Sequence, residues 1–180
     1  PQANLIQEIG YGDSNNGLFF QVNGTGLGVV QRSFVTGSVV DTRIDQSNFN
    51  IDKLDGTGSS GFTIDITKAN VYFIDFESLF TGRVRFGVLG YDGKKIVCHE
   101  IRNTNTFSYP YIQTSNLPVR VYLKNTGTTV ATAKMVVIAT SVMVEDGNEI
   151  LLGVEHTASN GTSLVAVTTR RPILSIKPSL

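Results

Sequence analysis

Cysteine occurs once in the 180 residues, at Cys98, and histidine twice, at His99 and His156. A lone cysteine excludes an internal disulfide and any metal site built from several thiolates. Two imidazoles are too few for a histidine-rich zinc centre unless subunits share ligands. Charge is scarce as well: Asp, Glu, Lys and Arg make up 17% of the chain, and 15 basic residues balance 15 acidic ones. An average globular protein carries about 25%. With no positive excess there is no broad field to gather phosphates, which argues against nucleic acid and anionic membranes as partners. The longest apolar run, residues 135–144, is interrupted by Thr140 and Ser141 and falls short of the ~20 residues that span a bilayer. The sequence opens on Pro1 without a charged segment leading into an apolar one, so no signal peptide is expected.

What the chain does have is 41% hydrophobic residues, enough for a core, and 18 glycines, which favour many turns. Where the apolar pattern is legible it has period two and uses β-branched and aromatic residues, the pattern of strands. In Arg83-Val84-Arg85-Phe86-Gly87-Val88 the residues Val84, Phe86 and Val88 share one face and the arginines take the other. Tyr91-Asp92-Gly93-Lys94 then offers Asp-Gly for a tight turn, followed by a second strand from Lys95 to Ile101. Further strands are expected at 17–22, 27–34, 39–44, 70–76, 119–124 and 131–144. Tyr72-Phe73-Ile74-Asp75-Phe76 is apolar on both faces apart from Asp75, which predicts a deeply buried central strand or one facing a partner subunit. No segment presents a clean helical stripe.

The spacing predicts an all-β, antiparallel jelly-roll sandwich, similar to concanavalin A-like or laminin-G-like domains, over residues 8–146. A β-rich extension is expected over 147–180, completed by a partner or by further sequence.

Candidates for chemistry are few. His99 and Glu100 are adjacent in a strand and so point to opposite faces, as do Glu155 and His156 if that segment is extended; neither pair can cooperate directly. Asp13-Ser14-Asn15-Asn16-Gly17 and Asp52-Lys53-Leu54-Asp55-Gly56 place oxygen ligands in glycine-containing loops. Calcium prefers such ligands, but neither loop has EF-hand spacing, and local turns closed by Asp or Asn side chains are the simpler expectation. Cys98 alternates with Ile96 and reads as a small core residue. No catalytic, cofactor-binding or metal-binding residue is therefore assigned, and the chain is expected not to be an enzyme. The contact residues expected are Tyr72 on the aromatic strand, and Tyr109 and Tyr111 on a loop stiffened by Pro110 and Pro118. Such tyrosines would serve a subunit interface or the face of a sugar ring.

The strings NGLFFQVNGTGLGVVQRS (16–33), FNIDKLDGTGSSG (49–61), IDFESLFTGRVRFGVL (74–89), VCHEIRN (97–103) and TSNLPVRVYLKNTGTT (114–129) cover most of residues 10–145. Over them the chain resembles a largely uncharacterised, β-rich group of virion structural proteins of tailed phages. That resemblance implies a component of a tail, neck or capsid-associated layer, located in the virion. Its partners would be further copies of itself and other virion proteins. The alternative is a carbohydrate- or receptor-binding adhesin of a tail or fibre, with a host-surface glycan as its partner.

Overall fold

The computed structural model describes residues 1–77, 79–128 and 133–143. The chain divides into two compact units, Pro1–Val142 and Met143–Leu180; all but one of the described residues belong to the first. The expected extension at 147–180, with Glu155, His156 and their neighbours, lies outside the described residues.

Among the described residues eight strands are formed: β1 (Leu5–Gly12), β2 (Gly17–Asn23), β3 (Gly26–Ser33), β4 (Val40–Asp45), β5 (Tyr72–Phe76), β6 (Arg83–Leu89), β7 (Lys95–Arg102) and β8 (Val119–Asn125). The only helical element among the described residues is a single 3-10 turn at Gln46–Asn48. The strands form a five-stranded sheet in the order β4-β3-β2-β1-β8 and a three-stranded sheet in the order β5-β6-β7. Every pairing is antiparallel. β1 to β4 and β5 to β7 each follow one another as neighbours within a sheet, so the described topology is two meanders with β8 returning to the free side of β1. A jelly roll instead sends successive strands to alternate sheets, and that interleaved order is not found among these strands.

Turn chemistry sets the local pairings. Two residues, Gly24 and Thr25, join β2 to β3, with Gly24 at φ 63°; a side chain there would oppose the left-handed backbone that a two-residue hairpin needs. Between β6 and β7 the Gly93 N–H donates to the Gly90 carbonyl at 3.0 Å, and Asp92 Oδ1 accepts the Lys94 N–H at 3.1 Å. The Asp-Gly signal thus produces the hairpin it predicts.

The core lies between the two sheets. Leu18 and Phe20 of β2 and Leu27 and Val29 of β3 face Val84, Phe86 and Val88 of β6 and Cys98 of β7. Phe20 meets Phe86 edge-on, with ring centres 5.5 Å apart, and tilts against Tyr72 at 4.7 Å. Toward one end a row of rings runs Tyr11, Phe76, Phe80, Tyr111, each centre 5.2–5.8 Å from the next. Aromatic pairs of this kind add to the stabilisation from simple burial.

Two strand expectations are corrected. Among the described residues the 72–76 strand is an edge of the smaller sheet, paired only with β6, and all five residues are half-buried, which overturns the deeply buried central strand but not the alternative of a strand facing a partner subunit. Tyr72, Ile74 and Phe76 pack inward, whereas the Phe73 ring lies over Gly87 and so fills the other face without a second layer. Residues 133–143, expected within a strand, form none with the other described residues: their β-branched side chains favour a sheet, but a ladder also needs a partner strand.

Candidate functional site

Of the expected contact residues, Tyr109 is on the surface, 48% exposed and stacked on Phe107, while Tyr111 is 2% exposed and ends the internal aromatic row. Tyr111 thus departs from the exposed position expected for it. The turn that follows Phe80 draws it inward, through a Tyr111 N–H to Phe80 carbonyl bond of 2.9 Å. Burial raises the pKa of its phenol well above the usual tyrosine value, and the hydroxyl finds no hydrogen-bond partner. Tyr72 is half-buried against Phe20, and burial raises its pKa too. The structure does not bring the three tyrosines together at one surface.

Both acidic loops are closed locally. Asp13 Oδ1 accepts the N–H groups of Asn15 and Asn16 at 2.7 Å each. Asp52 is buried and accepts the Leu54 N–H on one oxygen and the Ser60 N–H on the other, both at 2.9 Å. Among the described residues, no three His, Cys, Asp or Glu side chains gather where a metal ion could be held. His99 is buried against Phe49, its Nδ1 accepts the Asn50 N–H at 3.3 Å, and burial lowers its pKa. Arg83 and Arg85 are neutralised on their sheet face, by Glu100 at 3.7 Å and by Asp75 respectively.

Two surfaces remain that could do molecular work. The first is the inner face of β8. Val119, Val121 and Leu123 pair directly with Tyr11, Ile9 and Gln7 of β1, so they point the same way as the core-facing Ile9 and Tyr11. The three-stranded sheet does not cover them: Val121 is 46% and Leu123 41% exposed. Beyond β8 the segment 133–142 keeps a period of two without a ladder to any other described residue. Ala133, Met135 and Val137 are half-buried, while Val136 and Ile138 are 74% and 90% exposed.

The second is the outer face of the five-stranded sheet. Register places Asp41, Arg43 and Asp45 of β4, Arg32 of β3, Gln21 of β2, Glu8 of β1, and Arg120, Tyr122 and Lys124 of β8 on this side. Arg32 grips Asp41 with two bonds of 2.7 Å and reaches Glu8 Oε1 at 3.2 Å. Gln21 donates to the same Glu8 oxygen at 2.9 Å and accepts from Arg43 Nε at 2.7 Å, and Arg43 also pairs with Asp45. The Asp41 hydrogen bond, working against burial, raises the pKa of Arg32, whereas burial alone lowers that of Arg43. Phe19 lies beneath the Arg32 guanidinium at 5.1 Å and over Gly12 and Gly17, where a Cβ would come within 2.5 Å of its ring. Glycine at these two positions gives the aromatic ring its seat.

Glu8, Gln21, Arg32, Asp41, Arg120 and Tyr122 help line a depression of about 330 Å³ on this face. Alternation within the strands is the only trace these residues leave in the sequence; strand order is what places them side by side. No protein-family model, curated protein or solved structure matches the chain, so function rests on the residues themselves. No helix among the described residues is long and apolar enough to cross a membrane.

Proposed function

We propose that this protein is a structural subunit of a virus particle that works by associating with copies of itself and with neighbouring particle proteins. The observation that carries self-association is the apolar strip Val121 and Leu123 on β8, left exposed, together with the β-type segment 133–142, which has no ladder partner among the described residues. Among the described residues β8 is an edge of its sheet, and an edge with unpaired backbone groups is a template for a strand from another chain. Segment 133–142 of a second copy supplies such a strand, with alternate side chains to cover the strip. Zero net charge lets like subunits crowd together with little repulsion. The placement in a virion rests on the sequence resemblance.

The test is the mass of the full chain in solution, by light scattering across a concentration series, for wild type and for the variants Val121→Glu/Leu123→Glu and Ile138→Glu. Multimers that both variants reduce to folded monomers support this reading. A wild type that stays monomeric at high concentration, or variants that assemble unchanged, refute it.

A further inference from the structure

We infer that the depression on the outer face of the five-stranded sheet binds a neutral, hydroxyl-rich ligand, a saccharide. The inference stands apart from self-association, because it uses the opposite face of β8. Its starting point is an incomplete network. Glu8 is 2% exposed, and its Oε1 accepts from both Gln21 and Arg32, yet its Oε2 has no hydrogen-bond partner among the described residues. Arg120 Nε is likewise buried without a partner. Gly10 pairs with Arg120 and Glu8 with Tyr122, so this acceptor and this donor belong to diagonal neighbours on one face, and both residues line the depression. A buried polar atom left unsatisfied costs free energy that a suitable ligand group recovers.

The charges decide what that group is. A cation would meet Arg32, Arg120 and Lys124, and an anion would meet the free oxygen of Glu8 and the carboxylate of Asp41. A hydroxyl suits both orphans, since it donates to Glu8 Oε2 and accepts from Arg120 Nε. Arg120 now lies over the Tyr122 ring at 4.6 Å. When the guanidinium turns off that ring to meet the ligand, it frees an aromatic face for the apolar side of a pyranose. Roughly 330 Å³ lies at the small end of ligand sites, which fits one or two sugar units rather than a long chain.

The probes are methyl glucoside, methyl galactoside, methyl mannoside and lactose, screened on the full chain by saturation-transfer NMR and titrated by calorimetry. Sodium sulfate and sodium acetate serve as anion controls. Binding of at least one glycoside, unchanged by added salt, is expected. Glu8→Gln and Tyr122→Ala should each weaken it by about tenfold, the scale of one charge-assisted hydrogen bond or one lost stacking surface. If Glu8→Gln fails to fold, Tyr122→Ala at the edge strand decides. Silence from every glycoside at tens of millimolar, wild-type affinity in the folded variants, or salt-sensitive capture of sulfate or acetate in place of sugars would each overturn the assignment.

Discussion

Asn50 faces Glu100 with both ends of its amide: Nδ2 donates to the Glu100 carbonyl at 2.8 Å and Oδ1 accepts the Glu100 N–H at 2.9 Å. A side chain here takes the place of a strand. Next to it the Ile51 and Asp52 N–H groups both donate to the Cys98 carbonyl, at 3.2 and 3.1 Å. Cys98 is the extra residue of a β-bulge, since Phe86 pairs with His99 and Gly87 with Val97. The bulge turns that carbonyl toward the 49–52 segment, which thereby closes the β7 edge. Asn50→Ala should cost about 1 kcal/mol, since water can partly replace an exposed amide. The fall in melting temperature should come with a greater tendency to aggregate, measured by turbidity on slow heating; an unchanged melting temperature would show that the edge closes without Asn50.

Phe86 is fully buried at the contact between the two sheets. Truncating it to alanine should cost roughly 3–5 kcal/mol, read as a lower midpoint in urea denaturation. A variant of near wild-type stability would mean that the sheets do not meet at this ring.

Burial alone would raise the pKa of Asp52, but the Ser60 and Leu54 N–H groups and the Ser60 hydroxyl outweigh it and hold the carboxyl below its ordinary value. A carboxyl whose folded pKa lies below its unfolded one, about 4, contributes stability at higher pH. That contribution is lost as pH falls through the folded value. Asp52→Asn should therefore lower stability near pH 7 and flatten its decline in acid, as followed by denaturant melts from pH 7 down to pH 2. Parallel wild-type and variant pH profiles would remove Asp52 from this role.

Gly58 presses on the same carboxylate: a Cβ on it would stand 2.3 Å from Asp52 Cγ. Gly58→Ala must displace the carboxylate from its two N–H donors and should destabilise by about 1–3 kcal/mol. Combined with Asp52→Asn the losses should fall short of additive in a double-mutant cycle. Full additivity would disprove the coupling.

The Cys98 thiol is buried between the sheets, and burial pushes its pKa up to about 12. The native protein should react with iodoacetamide at neutral pH only as fast as the sandwich opens, with labelling rising steeply in denaturant. Rapid labelling of the folded chain would place the thiol at the surface.

Much of the fold was legible because alternation survives wherever one face is apolar and the other polar. β6, β7 and other segments were found this way, and β5 by its run of aromatic and β-branched residues, so that β2 to β8 were all placed within a few residues. β1 was missed: Ile6 and Ile9 fall on opposite faces, and Gly10 and Gly12 erase the alternation toward its end. Residues 133–143 have strand-forming side chains without a ladder among the described residues, and propensity records how a residue fits a sheet rather than which neighbour it finds. Tyr111 follows a proline in a loop that looks exposed, yet it closes the end of the core beyond Phe80.

The residue order by itself determined that the chain would form β-strands, where its hairpins turn, that Cys98 and Phe86 face inward, and that charge would be balanced. Each follows from side-chain periodicity and local turn chemistry. The tertiary structure alone decided that Glu8, Gln21, Arg32 and Asp41, contributed by four different strands, meet on one outer face, and that β8 overhangs the smaller sheet. Strand order and the unequal width of two sheets are products of long-range pairing, for which no local pattern in the chain provides a sign.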